Sequence, residues 1–289
     1  VNEAVETGYL RHVHACNTWN PKNFYDFCIA GQRVGRVKLP ILEALQQWPD
    51  WFEVEGDRVS LSPRIQGYAD RSKALAQVTE ALLGLGLITH RHGEPYPVTA
   101  GRRDQAYARI DRAAAPYFGL RAYGQHLNGY VRHTAGLKLW VARRAADRRN
   151  YPNKLDNLVA GGLPQDLGFV ENLRKECWEE ASIPVELVRR ATPVGALSYC
   201  RETRAGLKPD TLYCYDLELP EDFIPVNSDG EVAEFYLMPV AEVAEIIRDT
   251  DHFKLNCNLV IIDFLMRQGV LTPEHPEYLE LAQGLHEKI

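Results

Sequence analysis

The sequence has no long uninterrupted hydrophobic run. The stretch Leu259-Val-Ile-Ile ends at Asp263, far short of the roughly 20 apolar residues a bilayer span requires. There is no CxxC or CxC pair: the six cysteines, at 16, 28, 177, 200, 214 and 257, are scattered. That spacing excludes a dense disulfide scaffold and a zinc ribbon, and free thiols in a reducing compartment are the expectation. Positive charge is not in excess either, since 33 Lys+Arg against 39 Asp+Glu leave −6. A protein that grips nucleic acid by neutralising phosphates needs a basic face, so that class is disfavoured. Internal repeats and low-complexity segments are absent. The first ten residues, VNEAVETGYL, show neither a basic n-region nor an apolar h-region, and the expected location is cytoplasmic. What remains is a globular composition, 45% hydrophobic and 25% charged over 289 residues, long enough for about two ordinary domains.

Residues 24–40 read as strand, Gly-containing turn, strand. Residues 41–51 read as a short amphipathic helix, and WFEVEGDRVSLSP as a second hairpin turning at Glu55-Gly56-Asp57. Apolar residues at 75, 78, 82 and 85 predict a helix over 72–85, ended by Gly86. A Pro- and Gly-rich piece leads to an expected helix over 104–115, stopped before Pro116. Beyond Gly119 come two alternating strands around Thr134-Ala-Gly, a basic loop (RRAADRRNYPNK), a Gly-Gly loop and a helix. Further strands come next, then a helix near Val240, a longer one over 255–268 and a short helical tail. Strands and helices mix without βαβ regularity, so the fold class is α+β. The expected division is an α+β domain at 1–118, assigned substrate specificity, and a second domain at 119–289 with the helical tail.

One segment concentrates chemistry: GGLPQDLGFVENLRKECWEEASI, residues 161–183. Asp166 or Gly168 caps a helix from Phe169 on which Val170, Leu173, Cys177 and Ala181 form one apolar stripe. Glu176, Glu179 and Glu180, at i, i+3 and i+4, share a neighbouring face. Like charges at that spacing repel, and Arg174 and Lys175 are expected on other sides of the helix. Two readings stay open on these residues. One is a solvated acidic surface; the other is a divalent-cation site, whose hard oxygen donors suit Mg²⁺ and leave positions for substrate phosphates. The Gly161-Gly162 pair ahead of the helix allows close approach of a ligand.

The spacing of this segment resembles the Nudix box, G-x5-E-x7-R-E-U-x-E-E-x-G-U, where U is bulky and apolar. From Gly161 it fits without a gap, with three departures: Leu167 stands at the early Glu, Lys175 at Arg and Ser182 at Gly. The resemblance implies a Nudix fold, a mixed sheet sandwiched by helices, preceded by the smaller α+β domain. It implies Mg²⁺, with Mn²⁺ as a substitute, held by Glu176, Glu179, Glu180 and the Gly161 carbonyl. Segments 118–131, 151–163, 229–240 and 253–269 extend the likeness to a MutT-like branch related to thiamine pyrophosphokinase. That branch implies hydrolysis of thiamine diphosphate, or of its oxidised or damaged forms, to the monophosphate and phosphate.

A diphosphate is kinetically inert, so its cleavage calls for charge neutralisation and an activated water in line. Leu167 cannot act as base. Glu231, in the acidic loop Ser228-Asp-Gly-Glu-Val, is the candidate beside the box residues Glu176, Glu179 and Glu180, with Glu234 in reserve. Arg143 and Lys154, from the basic loop, are candidate phosphate contacts by proximity alone. His126, Asn128 and Tyr130 at the domain junction read as structural. The expected partner is a small-molecule diphosphate, with neither nucleic acid nor membrane; a homodimer is left open. Competing readings are a hydrolase of another nucleoside-diphosphate derivative (ADP-ribose, a nucleotide sugar, an oxidised nucleotide), a non-catalytic ligand sensor, and a diphosphate isomerase for which no acid/base pair is assignable.

Overall fold

Two tight turns set the start of the first unit. In this computed structural model, which describes residues 7–286, the chain opens with helix α1 (Leu10–Cys16) and then strands β1 (Tyr25–Ile29) and β2 (Gln32–Val37). Ala30 and Gly31 between them both have positive φ, 51° and 76°, the twist a two-residue hairpin loop needs. Helix α2 (Leu39–Leu45) comes next, then β3 (Phe52–Glu55) and β4 (Arg58–Leu61) turning at Gly56-Asp57. The four strands order as β2-β1-β4-β3, with β1 parallel to β4. Helix α3 (Gly67–Gly84) starts earlier than its apolar spacing predicts and buries Leu75, Val78 and Leu82, while Leu85 is exposed.

The helix expected over 104–115 is instead a strand. β5 (Pro95–Thr99) and β6 (Ala106–Asp111) form an antiparallel pair. Ala108 and Ile110 point into the core between exposed or half-buried neighbours, a period of two that the alanines disguise as helix-forming sequence. The backbone N–H of Arg109 also donates to Ser72 Oγ on α3 at 3.0 Å, which fixes the pair against that helix.

The second unit runs through β7 (Ala122–His133), β8 (Gly136–Arg144), β9 (Leu155–Asn157), β10 (Val159–Gly162), α4 (Phe169–Ala181), α5 (Val185–Val188), β11 (Thr192–Glu202), β12 (Leu207–Glu218), β13 (Val232–Pro239), α6 (Val240–Asp249), α7 (Leu255–Arg267) and α8 (Tyr278–Gly284). The sheet order is β11-β12-β7-β8-β13, with β12 parallel to β7 and the other pairs antiparallel. Beyond the β7–β8 turn the two strands part, and β10 pairs with β7 while β9 pairs with β8. Alternation along the strands sends Leu127, Trp140 and Leu217 to a core under α4, and Leu139, Val141 and Leu212 to a core under α6 and α7. The mixed sheet is thus held between two helical layers, as expected for the fold. All six cysteines are free and buried. Among the described residues no helix is long and apolar enough to cross a membrane.

Helix α1 does not share the core of the strands that come after it. Tyr9, Val13 and Cys16 pack in the core under α6 and α7. His12 Nε2 contacts the Ile247 carbonyl at 2.7 Å, and Arg11 donates to the carbonyl of Thr250.

Candidate active site

Helix α4 begins at Phe169 with Gly168 as its cap, and Asp166 does not cap it. Leu173, Cys177 and Ala181 are buried as the stripe requires, but Val170 is 63% exposed. The buried set is completed by Asn172 instead, whose Nδ2 donates to Gln125 Oε1 at 2.8 Å and to the Gly162 carbonyl at 2.9 Å. Lys175 corrects the expectation that the acidic face lacks a local cation. Its Nζ lies 2.8 Å from Glu179 and 3.3 Å from Glu176. The family's Gly position is Ser182, held in the left-handed region at φ 50° as the helix C-cap. The backbone bonds Ser182 N–H to Trp178 O and Ile183 N–H to Cys177 O close the helix there.

The three glutamates and the Gly-Gly segment come together. Gly161 and Gly162 lie on strand β10 and not in a loop. A side chain on Gly161 would collide with the carboxylate of Glu176, so only glycine lets that carboxylate lie on the strand. Glu180 is buried, at 8% exposure, and accepts from the backbone N–H of Ala160 at 2.9 Å. Among the described residues no cationic side chain is paired with it. Its carboxyl is pushed up to about 8, by burial first and by Glu176 next, against the pull of the Ala160 N–H. Burial also raises Glu176, partly offset by Lys175 and reinforced by Glu179 and Glu94. A helix face that strains to stay ionised, built of hard oxygen donors and lacking a cation for its most buried member, fits a divalent ion such as Mg²⁺.

Glu231 lines a narrow crevice with Ala142, Arg144, Asp156, Asn157, Val232 and Glu180. It is ion-paired to Arg148 at 2.8 Å. Glu234 is elsewhere: it pairs with Arg143 at 3.0 Å and with the Tyr236 hydroxyl. Arg143 succeeds Leu139 and Val141 in alternation, which puts it on the α6–α7 side of the sheet, away from α4. Lys154 reaches the carbonyl of Asp251 in the α6–α7 connection. Proximity in sequence brings neither side chain into the crevice: Arg143 is one strand residue out of phase with Arg144, and Lys154 stands just before β9. The basic residue that does enter the crevice is Arg144, bound to Asp156 at 3.0 Å.

Sequence reasoning misses Asp156 altogether. It is buried, ion-paired to Lys254 at 3.1 Å as well as to Arg144, and accepts from the Cys257 thiol. With His126 and Cys257 it forms a compact group whose donor atoms lie within 4.8 Å of one another. Two cations already neutralise Asp156, and burial pushes the Cys257 thiol up and the His126 imidazole down to about 4. This group is a polar tie between α7 and the split in the sheet. It continues through Asn157 to Asn128 and Asp216, which gives His126 and Asn128 the structural role their position implied.

The first unit also reaches the site. Arg103 donates to the carbonyls of Pro164 and Leu167, the latter at 2.7 Å, and the Gln165 N–H donates to the Pro95 carbonyl at 2.8 Å. The loop where the box would carry its early Glu is therefore clamped to the β5–β6 unit.

With a box helix carrying its acidic triplet against a glycine strand of a split mixed sheet, the class is defined: the chain belongs to the Nudix hydrolase family, enzymes that cleave diphosphate linkages. Residues 129–258 match the NUDIX domain, and residues 8–122 match a domain of unknown function, DUF4743. Nudix hydrolase 24, chloroplastic, of Arabidopsis thaliana is 44% identical over 98% of this chain and 79% of its own length. Nudix hydrolase 20, chloroplastic, of the same plant is 42% identical over 99% of this chain and 80% of its own. An uncharacterised protein of Saccharomyces cerevisiae is 32% identical over 93% of this chain and 86% of its own. The plant names speak of chloroplasts, and the cytoplasmic expectation finds no support among these relatives.

Proposed function

We propose that the chain is a Mg²⁺-dependent diphosphatase that acts on thiamine diphosphate or its oxidised analogues, releasing the monophosphate and phosphate. The observation that carries the metal-dependent reading is Glu180, a buried carboxylate without a cation among the described residues, beside Glu176 and a glycine strand that admits it. The choice of a thiamine-type substrate is supported by the resemblance of segments 118–131, 151–163, 229–240 and 253–269 to that branch. Glu176, Glu179, Glu180 and the Gly161 carbonyl would hold the ion, Mg²⁺ or Mn²⁺. When bound, it supplies the Lewis acid that neutralises phosphoryl charge and acidifies a water.

The chain's own groups do the rest. Glu231 shares the crevice with Glu180 and is steadied by Arg148, which supports it as the proton acceptor for the attacking water. Glu234 is not placed to serve, since its carboxylate is taken by Arg143 and Tyr236. Leu167 leaves its loop free for docking, through its backbone, onto the first unit.

The test is phosphate release with Mg²⁺ from thiamine diphosphate, its oxidised analogues, ADP-ribose and an oxidised dGTP, run beside Glu180→Gln. Turnover of the thiamine compounds, lost in the variant by about a thousandfold or more, is the expected result. Turnover of the nucleotides alone keeps the diphosphatase and removes the thiamine assignment. No turnover, with a thiamine compound still raising Tm, leaves a ligand sensor.

A further inference from the structure

The crevice that Glu180 and Glu231 share has an inner and an outer end. Asp156 and Glu180 are buried in it. Its volume is about 10 Å³, room for a single water, so a phosphoryl group has to stay at the outer end. Glu231 marks that end: its side chain is 36% exposed, and that of its partner, Arg148, 34%. Arg148 Nη2 lies 2.8 Å from Glu231 Oε2, while its Nε is buried and meets no acceptor among the described residues. The guanidinium at the mouth is only partly used.

The loop that carries Arg148 is anchored on both sides of it. The Ala145 N–H donates to the Glu231 carbonyl at 2.9 Å, and the Arg148 N–H to the Ala145 carbonyl at 3.3 Å. Arg144, whose Nη1 holds Asp156 inside the crevice, donates from Nη2 to the Asn150 carbonyl at 3.0 Å and from Nε to that of Tyr151 at 3.2 Å. Arg149 reaches the first unit, donating to Thr89 Oγ1 at 3.1 Å. The backbone is therefore fixed, and the long side chain of Arg148 is the part that can change partner. Neighbouring cations are engaged elsewhere. Arg144 and Lys254 neutralise Asp156, and Lys175 pairs with Glu176 and Glu179. Arg112 of the first unit lies across β10 from Glu176, where a Cβ on Gly162 would meet it and the Tyr96 hydroxyl, and it pairs with Glu94 at 2.8 Å.

A carboxylate locked on a guanidinium has fewer lone pairs to offer a water. This ion pair is exposed enough for solvent and salt to weaken it. A diphosphate brings more charge than a carboxylate, and its paired oxygens suit the planar fork. We propose that Arg148 is a substrate-binding residue that exchanges Glu231 for the phosphoryl oxygens of the diphosphate, and that this exchange frees Glu231 to take the proton of the attacking water. No proton moves in the exchange itself: the guanidinium stays cationic, and the carboxylate gives up one partner. The acceptor is thus withheld until a substrate arrives. This rests on the diphosphatase reading, with Glu231 as proton acceptor, and deepens it.

The experiment measures calorimetric binding of imidodiphosphate in the presence of Mg²⁺ to the full chain, as wild type, Arg148→Ala, Arg148→Lys, Glu231→Gln and the double variant Arg148→Ala/Glu231→Gln. Mn²⁺ binding is followed in parallel as a check on the metal set. Arg148→Ala should weaken imidodiphosphate by about ten- to a hundredfold while Mn²⁺ affinity holds. Arg148→Lys should recover only part of the loss, because a point charge replaces a fork. Arg149→Ala removes the adjacent cation and should change nothing. Glu231→Gln removes the competing carboxylate and should tighten binding severalfold, but only where Arg148 is present; the same gain in the Arg148→Ala background would be relief of general repulsion and would overturn the exchange. No gain in Glu231→Gln would overturn it as well. Equal binding by wild type and Arg148→Ala overturns the inference and leaves the diphosphatase standing. Failure of the wild type to bind imidodiphosphate overturns both. Folding of each variant is checked by Tm, and if Arg148→Ala does not fold, Arg148→Lys and Glu231→Gln decide.

Discussion

Asp156 and Glu180 line the same crevice, and both are buried carboxylates, yet the chain treats them oppositely. Asp156 receives Lys254 and Arg144, and these cations, with His126, hold its carboxyl below the usual range despite burial. Among the described residues Glu180 receives only a backbone N–H, and its carboxyl rises to about 8. Burying an unpaired charge costs several kcal/mol in a protein interior. A fold that neutralises one acid so thoroughly and leaves its neighbour without a cation has divided them by task. On the proposed metal-dependent reading, Asp156 belongs to the scaffold and Glu180 to a cation that comes from outside.

The comparison breaks if the two acids respond alike to removal of charge. Glu180→Gln should cost activity about a thousandfold, and in metal-free protein should leave Tm at pH 8 equal to wild type or higher, since the buried charge is gone. Asp156→Asn should behave in the reverse sense. It leaves Lys254 and Arg144 buried without a counter-ion, a loss of about 3–5 kcal/mol, read as a lower midpoint in urea.

The pH dependence sharpens the contrast at smaller amplitude. His126 has a folded pKa of about 4 against an ordinary value of 6.5, so the unfolded chain binds more protons between those limits. Its contribution to stability is full above about pH 6.5 and is lost as pH falls toward 4. Glu180 works the other way: its folded pKa is raised from 4.5 to about 8, so stability is full below about 4.5 and declines as pH rises to 8. Metal-free wild type should therefore lose Tm from pH 5 to 8, relative to the same protein with Mg²⁺. Glu180→Gln should show a smaller difference, the part left by Glu176, which burial also raises.

Legibility in the sequence depends on where the signals lie. The acidic triplet and its glycines are local, gathered in one short segment and set by helical spacing, and they can be read directly. Lys175 is equally local, at i,i+4 from Glu179, and is misjudged only by placing it on the wrong side of the helix. The strand at 106–111 is hidden because alanines favour helix, and its partner and the Ser72 hydroxyl that hold it extended are distant in sequence. Arg112, Tyr96 and Asp156 carry no local pattern at all. The second glycine hints at the first two, since a doubled glycine on a strand implies an approach from both faces. Arg143 shows the limit of neighbourhood as an argument: a strand reverses faces at every residue, and the residue that enters the crevice is Arg144.

The smallest expected effect tests a departure from the box. Ser182 occupies a left-handed C-cap at φ 50°, a conformation that glycine adopts without the Cβ penalty. Ser182→Gly should leave catalysis unchanged and raise stability by about 0.5–1 kcal/mol, net of glycine's greater freedom when unfolded; a fall in Tm would mean that the cap carries more than backbone geometry.

Helix α1 has a consequence for how such a chain can be taken apart. Tyr9, Val13 and Cys16 fill the core beneath α6 and α7, while the strands that come after them build the other unit. The polypeptide is stitched through both bodies before either is complete, so neither is a cassette. Cutting at residue 119 and keeping only the C-terminal part would remove a plug from the hydrophobic interior of the piece retained. Exchange of one half between relatives would need to leave residues 9–16 with the half whose core they fill, and graft only the stretch in between.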